Sequence, residues 1–217
     1  MIILNEEVTG FINQYYEPLD EELGALRAYG EENIIPIILK ETEIYLNTLL
    51  PIIKPRKILE VGTAIGYSSM YFAKMCPECE VFTIEKNEDV YETAKANIEK
   101  AGLSDRIHCF VGDGEEQIRA IGESGERDFD FVFIDAAKSH YRRFFEAAAE
   151  LCAPKAVILS DNILQHGMTA VEEFLKYRKH RTNIRRMREY VEFICTDERY
   201  NTSLMSMGDG IALTILK

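Results

Sequence analysis

The run Lys57-Ile58-Leu59-Glu60-Val61-Gly62-Thr63-Ala64-Ile65-Gly66-Tyr67-Ser68-Ser69 constrains the fold of this chain more than any other. It reads as a short apolar strand that breaks at glycine and restarts as a helix. A turn whose backbone must approach a ligand needs residues with little or no Cβ, and Gly62, Ala64 and Gly66 supply them directly after the strand. A second apolar run, Val81-Phe82-Thr83-Ile84, ends at Glu85, nineteen residues past Gly66. That is where a nucleotide-binding unit places an acid to accept hydrogen bonds from ribose hydroxyls.

Spacing and charge narrow the ligand. A dinucleotide fingerprint reads G-x-G-x-x-G because pyrophosphate sits on the helix N-terminus, whereas this loop reads Glu60-x-Gly62-x-Ala64-x-Gly66, with an acid at its head. An acid repels pyrophosphate and suits a cationic ligand such as S-adenosylmethionine, which carries a sulfonium and an ammonium. Gly112-Asp113-Gly114 follows a third strand and sets an acid where it can meet the exocyclic amine of adenine.

From Ile58 onward the pattern alternates: strand 58–61, helix 67–75, strand 81–84, helix 88–101, strand 107–111, helix 115–121, strand 129–134, helix 139–151, strand 156–160. Short continuous apolar strands separated by helices predict an α/β fold with a parallel sheet covered on both faces. Asn87 is a candidate N-cap, and Gly102 stands just past the end of the same helix. Ser203 to Met207, a Gly208-Asp209-Gly210 turn and Ile211 to Leu216 read as a hairpin that adds antiparallel strands. Ahead of the first strand, helical patterns run from Asp20 to Glu32 and from Pro36 to about Leu50, with Pro36 suited to a first helical turn. The expected organisation is one domain, with residues 1–55 forming helices that cover the cofactor site and residues 56–217 forming a Rossmann-like core.

Apolar runs fall far short of the roughly 20 residues a membrane span requires, and the acidic N-terminus has no signal-peptide core, so a cytoplasmic protein without membrane partners is expected. Five cysteines, mostly in apolar surroundings, argue against structural disulfides. Cys76-Pro-Glu-Cys79 has redox or zinc spacing, but it ends a helix rather than opening one and lacks a second ligand pair. A net charge of −12 argues against non-specific nucleic-acid binding by the whole surface. Lys176, Arg178, Lys179, Arg181, Arg185, Arg186 and Arg188 nevertheless form a basic island without an acid, a local anion site.

Ligands of an open parallel sheet bind beyond the carboxyl ends of its strands. Asp135 ends Phe131-Val132-Phe133-Ile134, and Asp161-Asn162 ends Ala156-Val157-Ile158-Leu159-Ser160. Two carboxylates and a carboxamide close together suit a hard divalent cation with oxygen ligands. Lys138 lies one turn past Asp135, where a nearby cation and partial burial suit it to act as a base. By themselves, Asp135 as a helix cap and Asp161 as a turn residue would have ordinary structural roles.

Glu60-Val-Gly-Thr-Ala-Ile-Gly-Tyr-Ser, Ile134-Asp-Ala-Ala-Lys138, Ser160-Asp-Asn162 and Gly208-Asp-Gly210 together resemble the cation-dependent O-methyltransferases, the group of caffeoyl-CoA and catechol O-methyltransferases. The resemblance implies a Rossmann-like class I methyltransferase with a mostly parallel seven-stranded sheet, helices on both faces and the C-terminal hairpin. It implies magnesium on Asp135, Asp161 and Asn162, and S-adenosylmethionine lined by Ile38, Gly62, Ser68, Glu85, Asp113, Gly114 and Asp135. Lys138 matches the lysine proposed as base, with Asp135 beside it. Within the group the chain most resembles short bacterial enzymes that methylate 5-hydroxyuridine in tRNA, through Ile35-Pro-Ile37, the glycine loop and the basic helix followed by Tyr190. Ala137 stands where the caffeoyl-type pattern has an acid, which argues against a CoA ester.

Methyl transfer is an in-line displacement, so aligning donor and nucleophile and presenting the oxygen as its anion give the largest gains. Magnesium can chelate two adjacent oxygens and lower the pKa of one, and both a catechol and 5-hydroxyuridine present such a pair. Arg178, Arg181 and Arg185 fall near one helix face and could contact RNA phosphates. Three classes stay open: a tRNA wobble-uridine methyltransferase, which the basic face favours, a methyltransferase of small catechol-like molecules, and a non-catalytic or other nucleotide-binding protein. A homodimer is the expected assembly; the alternative for the basic face is a solvated helix surface that balances an acidic body or forms part of the dimer interface.

Overall fold

The computed structural model describes residues 6–171 and 181–217. Three helices come first: α1 (Glu6–Asn13), α2 (Glu21–Glu32) and α3 (Lys40–Ile53). Asp20 caps α2 by accepting from the Leu23 amide at 2.8 Å, and Glu21 and Glu22 fill its first turn, where acids favour the helix dipole. The helix expected from Pro36 begins only at Lys40, because Leu39 is extended (ψ 153°) and residues 35–39 belong to no element. Proline disfavours a helical conformation at Ile35 before it, so the chain enters this stretch extended.

The core then alternates as β1 (Lys57–Val61), α4 (Tyr67–Met75), β2 (Glu80–Glu85), α5 (Glu88–Lys100), β3 (Ile107–Val111), α6 (Gly114–Glu123), β4 (Phe129–Ile134), α7 (Tyr141–Ala149) and β5 (Cys152–Ser160). The last part is α8 (Arg181–Thr196), β6 (Tyr200–Met205) and β7 (Ile211–Leu216). Asn87 caps α5 by accepting from the amides of Asp89 and Val90, and Gly102 follows that helix at φ +67°. The helix expected over 139–151 opens instead as a separate 3-10 turn, Lys138–His140. β5 begins four residues earlier than the apolar run suggested. Its pairing with β4 shifts register from Phe129↔Cys152 to Phe131↔Val157 around Pro154, which has no amide to donate.

The sheet order is β3-β2-β1-β4-β5-β7-β6, parallel except where β7 joins β5 and β6 joins β7 antiparallel. Alternate strand residues enter two cores. Leu59, Val61, Val132 and Ile134 pack with residues of α6, α7 and α8, whereas Ile58, Phe131 and Phe133 pack with residues of α2, α3 and α4. Sheet order reverses between β1 and β4, so the crevice of a doubly wound sheet opens at their carboxyl ends. Among the described residues no helix is long and apolar enough to cross a membrane, and all five cysteines are free.

Candidate active site

At the reversal the backbones of the two strands close on each other. Asp135 donates its amide to the Val61 carbonyl at 3.0 Å, while on the other side of β1 Gly62 donates to the Ile84 carbonyl of β2 at 2.9 Å. Gly62 has φ +109°, and a Cβ there would lie 2.0 Å from the Asp135 carbonyl oxygen, so no other residue fits without parting β1 from β4. Ala64 (φ +47°) donates its amide to Glu85 Oε2 at 3.0 Å, while Asn87 donates to Oε1 at 2.9 Å. Glu85 thus fixes the loop through both carboxylate oxygens while lining the crevice.

The crevice is a cavity of about 410 Å³. Ile38, Gly62, Ser68, Glu85, Asp113, Gly114, Asp135 and Lys138 all line it. Asp113 caps α6 through the Glu115 amide at 3.1 Å and pairs with Arg143 at 2.6 Å; although burial opposes its charge, the guanidinium holds its carboxyl below the usual carboxylate range. A Cβ on Gly114 would lie 2.7 Å from the Phe144 ring, another wall of the cavity, so glycine keeps this slot open. Tyr67, inside the glycine-loop motif, and Phe144 and His140, which carry no signal in the sequence beyond lying near the Asp135–Lys138 motif, also line it.

Glu60 corrects the expectation that the head of the loop presents its acid to the ligand. Strand alternation turns it to the face under α4, where it is fully buried and absent from the cavity wall. The Ser69 hydroxyl donates to Glu60 Oε2, as does that of Thr83 at 2.5 Å, and Oε1 has no partner. Burial pushes the carboxyl from 4.5 up to about 7. Between those values the folded protein holds a proton that the unfolded chain has released, so stability falls as pH rises from about 4.5 to 7 and stays lowered above. Glu60→Gln is expected to stabilise the protein at pH 8 by on the order of 2–3 kcal/mol, with the gain fading by pH 5. Urea melts at both pH values measure this, and an equal difference at the two would refute it.

Asp135 and Asp161 meet because β4 and β5 are neighbours. Asn162, left-handed at φ +59°, donates Nδ2 to Asp135 Oδ1 at 2.9 Å. Asp161 is buried; its Oδ1 accepts from the Asn162 amide at 2.7 Å and its Oδ2 has no partner. Burial first, and then the Asp135 charge, push the Asp161 carboxyl up to about 7. A cation would satisfy the orphaned oxygen and relieve the repulsion, and oxygen donors of this kind fit a hard ion. Among the described residues no three His, Cys, Asp or Glu side chains gather as a metal group, so the arrangement here is two carboxylates and a carboxamide.

Lys138 Nζ donates to Asp135 Oδ1 at 3.2 Å and to the Tyr141 hydroxyl at 3.1 Å, and that hydroxyl donates to the Asp161 carbonyl at 2.8 Å. Tyr141 therefore joins the ammonium to the strand end that bears Asp161. Of the three arginines expected on one basic face, Arg178 lies outside the described residues. Arg181 and Arg185 are exposed on α8, with Arg185 3.6 Å from Glu189. The same helix bears Arg186, which donates to the Ser139 carbonyl at 3.3 Å next to Lys138.

The O-methyltransferase family model matches residues 17–217. An O-methyltransferase of Aspergillus flavus is 33% identical over 168 residues, covering 73% of this chain and 67% of the relative. The catechol O-methyltransferase of Niastella koreensis is 25% identical over 224 residues, 94% of this chain and 99% of the relative. The crystal structure of the O-methyltransferase from Bacillus cereus in complex with SAH (S-adenosylhomocysteine) aligns with a TM-score of 0.84 at 26% identity, covering 97% of each chain. With its seven-stranded class I fold, the chain belongs to the cation-dependent O-methyltransferase family and is an S-adenosylmethionine-dependent O-methyltransferase.

Proposed function

We propose that the enzyme methylates the hydroxyl of 5-hydroxyuridine at the tRNA wobble position, giving 5-methoxyuridine, with magnesium or another divalent cation held by Asp135, Asp161 and Asn162. The observation that carries this reading is the junction of α8 with the Lys138 turn. The helix bearing exposed Arg181 and Arg185 is bonded through Arg186 to Ser139, so a basic surface adjoins the mouth of the site. A bound cation would supply Lewis acidity, making the hydroxyl of an adjacent oxygen pair easier to ionise. Lys138, as the neutral amine left when its ammonium gives up a proton to solvent, would accept the substrate proton at Nζ, with Asp135 and Tyr141 fixing its direction. Glu85 would hold the donor's ribose hydroxyls and Asp113 its adenine amine. Work on tRNA would place the enzyme in the cytoplasm. Val8, Phe11 and Tyr15, exposed on and beside α1, offer apolar surface for the proposed homodimer.

Mass spectrometry of tRNA nucleosides from cells lacking the protein should show loss of methoxyuridine and build-up of hydroxyuridine. An unchanged nucleoside profile would sink the tRNA reading. Replacing Arg178, Arg181 and Arg185 with Gln should weaken RNA binding and flatten its salt dependence by about one unit of log–log slope per lost phosphate contact. The second reading, a small catechol-like substrate, is favoured by the name of the Niastella relative. It gains ground if those substitutions leave RNA methylation intact while a dimer dissociates in sedimentation. Glu85→Ala should weaken donor binding by about 1.5–3 kcal/mol, the range for hydrogen bonds to a charged group, which calorimetry with SAH can check.

A further inference from the structure

The N-terminal helices carry a buried ion pair that the chemistry above does not use. Arg27 of α2 is 4% exposed and Glu43 of α3 is 0% exposed, so both charges are out of water. Arg27 Nη2 donates to Glu43 Oε2 at 2.5 Å and to the Ile38 carbonyl at 3.0 Å. Its Nε donates to the hydroxyls of Tyr16 at 2.7 Å and Tyr67 at 3.1 Å. Both hydroxyls donate in turn to Glu43, Tyr67 at 2.7 Å and Tyr16 at 3.2 Å. One guanidinium therefore joins α2, α3, the first residue of α4, the segment after α1 and the extended stretch before α3.

Stability is a weak explanation for such an array, since apolar residues of similar volume commonly stabilise as well as a buried ion pair or better. What it holds is more telling. Ile38 and Tyr67 both line the cavity and come from distant parts of the chain. Tyr67 follows the left-handed Gly66 and precedes Ser68 in the glycine loop. Ile38 lies in residues 35–39, which no helix or strand fixes. The bond from Arg27 to the Ile38 carbonyl thus anchors this wall from outside the segment, and the bond to Tyr67 ties the start of α4 to the same planar group.

We propose that Arg27 is a positioning residue for the methyl donor. Acting through Ile38 and Tyr67, it sets the gap between the 36–38 segment and the glycine loop and preorganises the slot before the donor arrives. Glu43 neutralises and orients the guanidinium. Lysine cannot replace it, because a single ammonium lacks the fork needed to reach Ile38, Glu43 and the tyrosine hydroxyls together. The proposal rests on this cavity being the donor site.

Calorimetry with SAH on Arg27→Met, Arg27→Lys, Tyr67→Phe and the double variant Arg27→Met/Tyr67→Phe tests it, with Glu85→Ala as control. Arg27→Met is expected to weaken SAH binding at least tenfold and to raise KM for S-adenosylmethionine more than it lowers kcat. Arg27→Lys should not restore affinity. Tyr67→Phe, which keeps the ring and removes only the hydroxyl, should weaken binding several-fold, and the double variant no more than Arg27→Met alone. If Arg27→Met does not fold, Tyr67→Phe and Arg27→Lys decide. Variants that melt earlier yet bind SAH like the parent, while Glu85→Ala does not, would reduce Arg27 to a structural residue and overturn the proposal. If Glu85→Ala also binds normally, the assignment of the cavity to the donor fails instead.

Discussion

Excess chelator is expected to abolish methyl transfer while circular dichroism and melting stay native. The expectation rests on Asp161. Its carboxyl is buried with Oδ2 unsatisfied and is pushed up to about 7 by burial and by Asp135. A protein without a use for that acid would gain by losing it, since a buried, unpaired carboxylate is costly. Asp161→Ala should therefore fold at least as well as the parent, yet lose turnover at ordinary magnesium concentrations, because too few oxygen ligands remain to hold the cation and orient the substrate. Loss of activity together with retained fold separates this role from a purely structural one. Full activity in excess chelator would rule the metal out, and the carboxylates would then need another role.

The parts of this site that were legible in the sequence are those whose geometry is enforced locally. Gly62 and Gly66 adopt positive φ, which side chains disfavour, so their spacing after an apolar strand announced the loop. Asp135 and Asp161 could be read at strand ends because alternating strands and helices fix the sheet type, and a parallel sheet places its sites beyond carboxyl ends. Glu60 misled for a physical reason. When both faces of a sheet are covered, strand residues on the two faces are equally apolar, and nothing in the pattern tells which face an acid among them takes. Pro36 was ambiguous in a similar way, since it suits a first helical turn as well as the extended stretch it occupies. The Arg27 array could not be read at all: its members lie between residues 16 and 67, and only tertiary packing unites them. The juxtaposition of α8 with the Lys138 turn was hidden for the same reason.

Lys138→Met is expected to lower kcat by roughly 10²–10⁴, the usual contribution of a general base, with little change in donor affinity. Methionine keeps the length and apolar stem of lysine, so the loss reports the ammonium rather than a cavity. The surroundings define what that ammonium can do. Tyr141 is fully buried, and burial holds its phenol well above the ordinary value; its proton stays on the oxygen and is committed to the Asp161 carbonyl at 2.8 Å. Tyr141 therefore accepts from Lys138 without offering a proton of its own, and Nζ can take one from substrate only as the neutral amine, after its ammonium has released a proton. At high pH the substrate hydroxyl ionises without help, and the two roles part. If Lys138→Met regains parent kcat there, proton removal is what the lysine supplied at neutral pH. If the deficit persists undiminished, Lys138 works by steering the oxygen, because alignment matters equally whether or not the proton has already gone. A variant with parent-like kcat at neutral pH would exclude both roles, leaving the hydrogen bond to Asp135 as a structural contact.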